Sequence, residues 1–230
     1  MQFNILEFSE GAIRATGLTV IIDVFRAFSV ACYAADGGAA KIIATGSVEE
    51  AFALKQKYSN SVLAGERNEK KVEGFDFGNS PTEILKADIA GKIFIHTTTA
   101  GTNGLVNAIN ADQIITGSFV NASSVARYIK LIDPQIVSLV AMGYRASISA
   151  EEDLLCAEYI KALVTGEERN FSSEIADLRY SSGQRFFFPQ NIDFSPPTDF
   201  FLCIMYNRFP FVLRALRRYD GNIELERVDV

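Results

Sequence analysis

Three observations predict an α/β fold for this chain of 230 residues, three layers deep around a largely parallel sheet. Short runs rich in Ile and Val alternate with longer segments of helical composition, which implies parallel strands with helices covering both faces. The alternation repeats itself within the first two thirds of the chain. Apolar residues make up 48% of the sequence, ample for one large core or two intertwined smaller ones.

The repeat organises the elements. "KIIATGSVEEA" from Lys41 resembles "QIITGSFVNA" from Gln113, sharing an apolar run, Thr-Gly-Ser and a following alanine. Before them lie "LTVIIDVFRAFS" from Leu18 and "GKIFIHTTTAGT" from Gly91; after them lie "SVLAGER" from Ser61 and "SLVAMGYR" from Ser138. Each unit therefore reads strand, helix, strand, helix, strand, with helices expected at Ala27–Asp36, Val48–Tyr58, Thr102–Asn110 and Phe119–Ile132. The architecture expected is two similar, internally duplicated units, about 18–67 and 91–145, within a core of 1–166. A helix over Ala150–Val164 follows, with Ser149 as N-cap and Glu152 closing a capping box. The remaining 167–230 is divergent and aromatic-rich, with "RFFFPQNIDFSPPTDFF" and an expected helix at Pro210–Tyr219 carrying Arg214, Arg217 and Arg218. Its aromatics are expected to pack on the core or on the partner of a homodimer.

Composition excludes several function classes. A formal charge of −6 disfavours a nonspecific nucleic-acid binder, so no nucleic-acid partner is expected. No long apolar run suggests a leader or a membrane span. Three cysteines, Cys32, Cys156 and Cys203, lie in apolar surroundings without metal-ligand spacing, which suits reduced thiols in the cytoplasm. Nucleotide-binding signatures and a Gly-x-Ser-x-Gly elbow are missing.

Parallel α/β sheets bind ligands at the carboxyl ends of their strands, so Asp23–Ser29, Gly65–Arg67, Thr97–Thr102, Gly117–Ser118 and Gly143–Arg145 are expected to converge. Asp23 follows an apolar strand and precedes Arg26 and Ser29; its carboxylate suits a hard cation, a nucleophile or a base, and Arg26 suits an oxyanion. An N-capping aspartate with an incidental ion pair is the plain alternative. Thr97-Thr98-Thr99, then Ala100-Gly101-Thr102, offer hydroxyls and a helix start to a phosphate or sulfonate. Glu66-Arg67 and Tyr144-Arg145 occupy equivalent places in the two units and bring two arginines toward one anion. His96, the single histidine, reads as a strand residue. Between the units, "GFDFGNSPTE" at Gly74–Glu83 is polar and turn-rich, yet Phe75 and Phe77 would pin it; a pinned polar loop suggests a site. Together these features read as a site for a small phosphoryl or sulfonyl anion.

In order, "VIIDVFRAFS", "GER", "GFDFGNSP", "TTTAGT", "GSFVNA" and "AMGYRASISAEEDLLCA" resemble the 2-phosphosulfolactate phosphatase family across about Val20 to Ala157. The resemblance implies a Mg²⁺-dependent enzyme, associated with coenzyme M biosynthesis, that removes phosphate from a small anionic substrate also carrying a sulfonate. It places Asp23, Arg26 and Ser29 in one motif, Glu66 and Arg67 in a second, and Asp76, Asn79 and Ser80 in the loop between the units. Thr98, Thr99, Gly101, Thr102, Asn121 and Asp153 match further family positions. The catalytic set expected is Asp23, Arg26 and Asp76; Mg²⁺ is expected among Asp23, Glu66, Asp76 and Asp153; substrate is expected at Ser29, Arg67, Asn79, Ser80, Thr98, Thr99, Gly101, Thr102 and Arg145. Phe28 and Ala100 stand where the family usually carries threonine and asparagine. A noncatalytic anion binder and a phosphatase for a different phosphorylated acid are the competing readings.

Overall fold

The computed structural model describes residues 1–219 and 221–230. Its strands are β1 (Gln2–Glu7), β2 (Leu18–Ile22), β3 (Lys41–Thr45), β4 (Ser61–Arg67), β5 (Lys70–Lys71), β6 (Ile93–Thr97), β7 (Gln113–Gly117), β8 (Ile136–Ala141), β9 (Phe211–Arg217) and β10 (Ile223–Asp229). Its helices are α1 (Phe8–Arg14), α2 (Ala27–Asp36), α3 (Val48–Lys57), α4 (Pro81–Ile84), α5 (Gly101–Asn107), α6 (Ala122–Ile132), α7 (Glu151–Thr165), α8 (Ser172–Asp177) and α9 (Pro197–Cys203). The α/β class and the largely parallel sheet are as the alternation predicts.

The strands form one sheet in the order β1-β8-β2-β7-β9-β10-β3-β6-β4-β5. Strand β2 lies parallel between β7 and β8, with Leu18 opposite both Gln113 and Val137. Strand β6 lies parallel between β3 and β4, with Ile93 opposite both Lys41 and Ser61. Each of these pairings joins a strand of one expected unit to a strand of the other, so neither unit builds a sheet by itself.

Side chains alternate between the two faces, as strand geometry requires. Ile21, Ile42, Ala44, Val62, Phe94, Val140 and Leu213 point into a single inner core with α2 and residues of α1, α4 and α5. Their neighbours point outward: Val20, Ile22, Val137, Leu139 and Val212 meet α6 and α7, while Ile43, Leu63 and Ile95 meet α3. Six strand steps separate β2 from β4, about 29 Å if the sheet were flat. Yet residues at the ends of both line one cavity, so the sheet curls around its inner core.

Three local expectations are corrected. The segment Phe211–Arg217 is a strand, not a helix: Phe211, Val212 and Leu213 are buried, and the run pairs with β10 along its length and with β7. Ser149 does not cap α7, because the cap position is Ala150 and the Ser149 hydroxyl donates instead to Glu7 Oε2 at 2.5 Å. Helix α5 is short, ending at Asn107 rather than Asn110. Of the two places open to the C-terminal aromatics, the core takes Phe186, Phe200, Phe209 and Phe211, all at most 2% exposed. Among the described residues no helix is long and apolar enough to cross a membrane.

Candidate active site

At the carboxyl ends of the strands a cavity of about 440 Å³, counting its open mouth, is lined in large part by loops that follow β2, β4, β6 and β8. Asp23, Arg26, Glu66, Asn79, Thr98, Thr99 and Arg145 line it, as the sequence leads one to expect. So do Phe25, Glu69, Ala100, Gly143, Tyr144 and Arg185. The fifth expected loop, Gly117–Ser118, sits behind the wall, where Ser118 and Ser29 share a hydrogen bond of 2.7 Å.

Asp23 lies one residue past β2 and is 6% exposed. Its Oδ1 accepts the Ala27 N–H at 3.0 Å, in the first turn of α2. Oδ2 has no hydrogen-bond partner among the described residues. Burial pushes the Asp23 carboxyl up from 3.8 to about 6; the Ala27 N–H opposes this, Glu66 and Glu152 add to it, and Arg185 lowers it again. The neighbouring Phe25–Arg26 peptide is cis. Close packing at this point needs a glycine at 101, because a Cβ there would sit 2.9 Å from Asp23 Oδ2 and 2.8 Å from Ala27 Cβ.

Two other carboxylates frame the loops. Asp153 is 2% exposed, and its two oxygens accept Val24 N–H at 2.8 Å and Gly143 N–H at 2.9 Å. Burial, then Glu152 and Asp23, raise its pKa well above the usual carboxylate range. Glu66 accepts Thr99 N–H at 2.7 Å through Oε1, and Glu69 N–H at 2.8 Å through Oε2. Each therefore satisfies loop N–H groups that no strand partner could reach.

The expected anion cradle at Thr97–Thr102 is largely spent on itself. Thr98 and Thr102 exchange backbone-to-hydroxyl bonds of 3.1 and 3.2 Å, and the Thr99 N–H is taken by Glu66. Thr98 and Thr99 still reach the cavity, whereas Gly101 and Thr102 support it from behind. Asn79 reaches it too, its Oδ1 3.1 Å from His96 Nε2; burial holds the His96 pKa down near 3, in keeping with a neutral strand residue.

Several expected residues are placed elsewhere. Asp76 turns away from the cavity, its carboxylate 41% exposed, accepting Leu63 N–H at 2.8 Å and facing Lys55 at 3.3 Å. The loop around it is pinned as Phe75 and Phe77 suggest: Phe75 packs edge-on against Phe52, and Phe77 bonds β4 through its backbone. Arg67 donates to Glu66 O and to Thr97 Oγ1 outside the cavity wall. Ser80 is an N-cap for α4, and its hydroxyl donates to Asp199 Oδ1 at 2.7 Å. Asn121 caps the turn at Ser118. Phe28 is buried in the inner core, so that departure from the family pattern does not reach the cavity, whereas Ala100 lines it.

Arg26 lines the cavity but is already engaged. Its Nη1 donates to Phe194 O at 2.6 Å and to Asp199 Oδ2 at 2.7 Å, an ion pair with both partners at most 4% exposed. Asp199 was not foreseen from sequence as a site residue, and neither were Arg185, Glu69 and Glu152. The signal for Asp199 was present in Pro196-Pro197-Thr198-Asp199, where an acid opens an aromatic helix.

Among the described residues no three acidic, histidine or cysteine side chains form a ready-made metal cage. Mg²⁺ does not require one, since it usually takes one or two carboxylates and completes its shell with water and phosphate oxygens. The unpartnered Oδ2 of Asp23, with Glu66 and Glu69 lining the same cavity, is a hard-oxygen donor set of that kind. Asp76 and Asp153 do not line the cavity.

A family model described as 2-phosphosulpholactate phosphatase matches residues 5–184. A Bacillus subtilis (strain 168) protein named probable 2-phosphosulfolactate phosphatase is 31% identical over 232 residues, covering 99% of both chains. Proteins of the same name from Clostridium beijerinckii and Carboxydothermus hydrogenoformans are 36% and 37% identical, over 70% and 79% of this chain and 67% and 74% of their own. A match across most of the chain, joined to a cavity built from the strand-end loops that carry the motifs, places this chain in the 2-phosphosulfolactate phosphatase family.

Proposed function

We propose that this protein is a Mg²⁺-dependent phosphatase that hydrolyses 2-phosphosulfolactate to sulfolactate and inorganic phosphate. The observation that carries the reading is Asp23: a buried carboxylate with one oxygen engaged and one unpartnered, at the wall of a small cavity that also holds cationic side chains. Family membership supports the reaction class and the substrate.

The chain's own residues divide the work. Burial and like-charged neighbours disfavour a second negative charge beside Asp23, so cations must accompany the substrate. Arg145 and Arg185 supply two, and a magnesium ion held by Asp23, with Glu66 and Glu69 beside it, would neutralise phosphoryl charge. Thr98, Thr99 and Asn79 present polar groups to the bound oxygens. Asp23 Oδ2 either attacks phosphorus, breaking the bond to the sulfolactate oxygen, which leaves and takes a proton from water, and forming an acyl phosphate that water then cleaves to phosphate, or helps place the water that attacks and displaces the same oxygen. An acid-stable label on Asp23 after quenching a turnover would select the first.

A cytoplasmic location fits three buried thiols in the free form. The test of the function is phosphate release from 2-phosphosulfolactate and from a panel of phosphorylated carboxylic acids. Release should be strongest with 2-phosphosulfolactate, vanish with EDTA and return with Mg²⁺. Release equal in EDTA would remove the metal from the proposal; no release from any compound would remove the phosphatase.

A further inference from the structure

Three arginines line the cavity, and their environments differ. Arg26 spends Nη1 on two short bonds, to Phe194 O and Asp199, and its Nη2 approaches Glu69 O at 3.4 Å. Arg145 is exposed at the mouth, its guanidinium 5.1 Å from the centre of the Tyr144 ring. Arg185 is neither saturated nor at the rim. It stands in the single turn Gln184–Phe187 of the C-terminal segment, and its side chain is 19% exposed.

The polar contacts of Arg185 are few and long for so enclosed a group. Nη2 donates to Phe25 O at 3.1 Å; Nη1 lies 3.4 Å from Glu69 Oε1, and Nη2 lies 3.9 Å from Glu152 Oε1. Among the described residues its Nε is buried with no partner, and so is Glu152 Oε2. The rings of Tyr144, Phe186 and Phe25 surround the guanidinium at 5.2, 5.4 and 5.9 Å, so its position is fixed by packing rather than by its ion pairs. A buried donor without an acceptor is costly, and a guanidinium fork matches two oxygens of one phosphoryl group. Asp23 and Arg185 line the same cavity.

We propose that Arg185 is the side chain that grips the phosphoryl group of the substrate, exchanging its long contacts to Glu69 and Glu152 for bonds to phosphate oxygens, while Arg26 anchors the segment that delivers it. The assignment rests on the phosphatase reading for its catalytic consequence, but not for anion binding itself. It concerns a residue one position beyond the stretch that the family model matches.

The experiment compares wild type with Arg185→Ala and Arg185→Lys, with thermal melting to confirm folding. Binding of inorganic phosphate is measured by calorimetry in Mg²⁺. Hydrolysis is measured for 2-phosphosulfolactate and for phenyl phosphate, which has no second anion. The expected result is phosphate affinity weakened at least tenfold in R185A and kcat/KM lowered about 10²-fold or more for both substrates alike, with R185K recovering only part. Unchanged phosphate affinity overturns the proposal, and so does a loss confined to 2-phosphosulfolactate, which would assign Arg185 to the sulfonate. If wild type binds phosphate, R185A does not, and neither turns over any substrate, the phosphatase reading falls and the arginine assignment stands. If wild type binds no phosphate, the arginine assignment falls, and the phosphatase reading stands or falls by turnover alone. Should R185A fail to fold, R185K and Arg185→Gln carry the same comparison.

Discussion

The strand triple β8-β2-β7 and the strand triple β3-β6-β4 use one device for different ends. In the first, Asp153 gathers the loops after β2 and β8 by accepting Val24 and Gly143 N–H groups. In the second, Glu66 gathers the loops after β6 and β4 by accepting Thr99 and Glu69 N–H groups. The central strand of the first ends on Asp23, with Glu152 and Asp153 close enough to perturb it or each other; the central strand of the second ends on threonines. The first triple therefore presents to the cavity a carboxylate with an unpartnered oxygen, and the second presents threonine hydroxyls beside Glu66 and Glu69. The same carboxylate clamp frames both, so the clamp is scaffold and the residue it leaves uncovered is chemistry.

The sharpest way to break this comparison is to remove that uncovered residue. Asp23→Asn keeps an oxygen for the Ala27 N–H but loses the charge at Oδ2, and phosphate release should fall on the order of 10³-fold or more. A fall of less than tenfold would mean that the Asp23 side of the cavity does not carry the reaction. Next in size is Asp199→Ala: Asp199 holds Arg26 from the loop after β2, and Ser80 and Thr82 at the start of α4. Removing one partner of so buried an ion pair leaves Arg26 uncompensated and should cost about 3–5 kcal/mol in urea unfolding. A cost under about 1 kcal/mol would show that Arg26 finds water instead.

Much of this was legible because it is periodic or local. Alternating Ile and Val runs marked β2, β3, β4, β6, β7 and β8, and four of the five loops expected at their ends line the cavity. What was not legible is long-range. Phe211–Arg217 carries three buried residues, then three half-buried ones and an exposed arginine, and only pairing with β10 and β7 makes it a strand rather than a helix. Arg185 meets Phe25 from 160 positions away, and Asp199 meets Arg26 from 173. No local spacing encodes such contacts. The family resemblance had a different blind spot: it named Asp76 and Asp153 as it named Asp23, but a motif does not say which face a side chain takes.

Acid crowding has a stability cost that sharpens the comparison further. Folded Asp23 titrates at about 6 against an ordinary 3.8, so between those values the folded protein holds a proton that the unfolded chain releases. Stability contributed by this group is thus lost as pH rises through that window, up to about 3 kcal/mol above it. In metal-free protein, D23N should raise the melting temperature near neutral pH, and the gain should shrink toward about pH 4. A gain independent of pH would point to packing rather than charge.

The smallest effect tests the residue on which motif and structure part. The Asp76 carboxylate serves Leu63 N–H and Lys55 on the far side of β4 from the cavity wall. Asp76→Ala should leave kcat/KM within about twofold and cost about 1 kcal/mol of stability, the usual worth of one such hydrogen bond. The partly exposed Lys55 pair adds little, because solvent screens it. A loss comparable to that of D23N would mean that the loop at Gly74–Glu83 swings Asp76 inward when substrate binds. The two sides would then share a carboxylate that the free protein keeps apart.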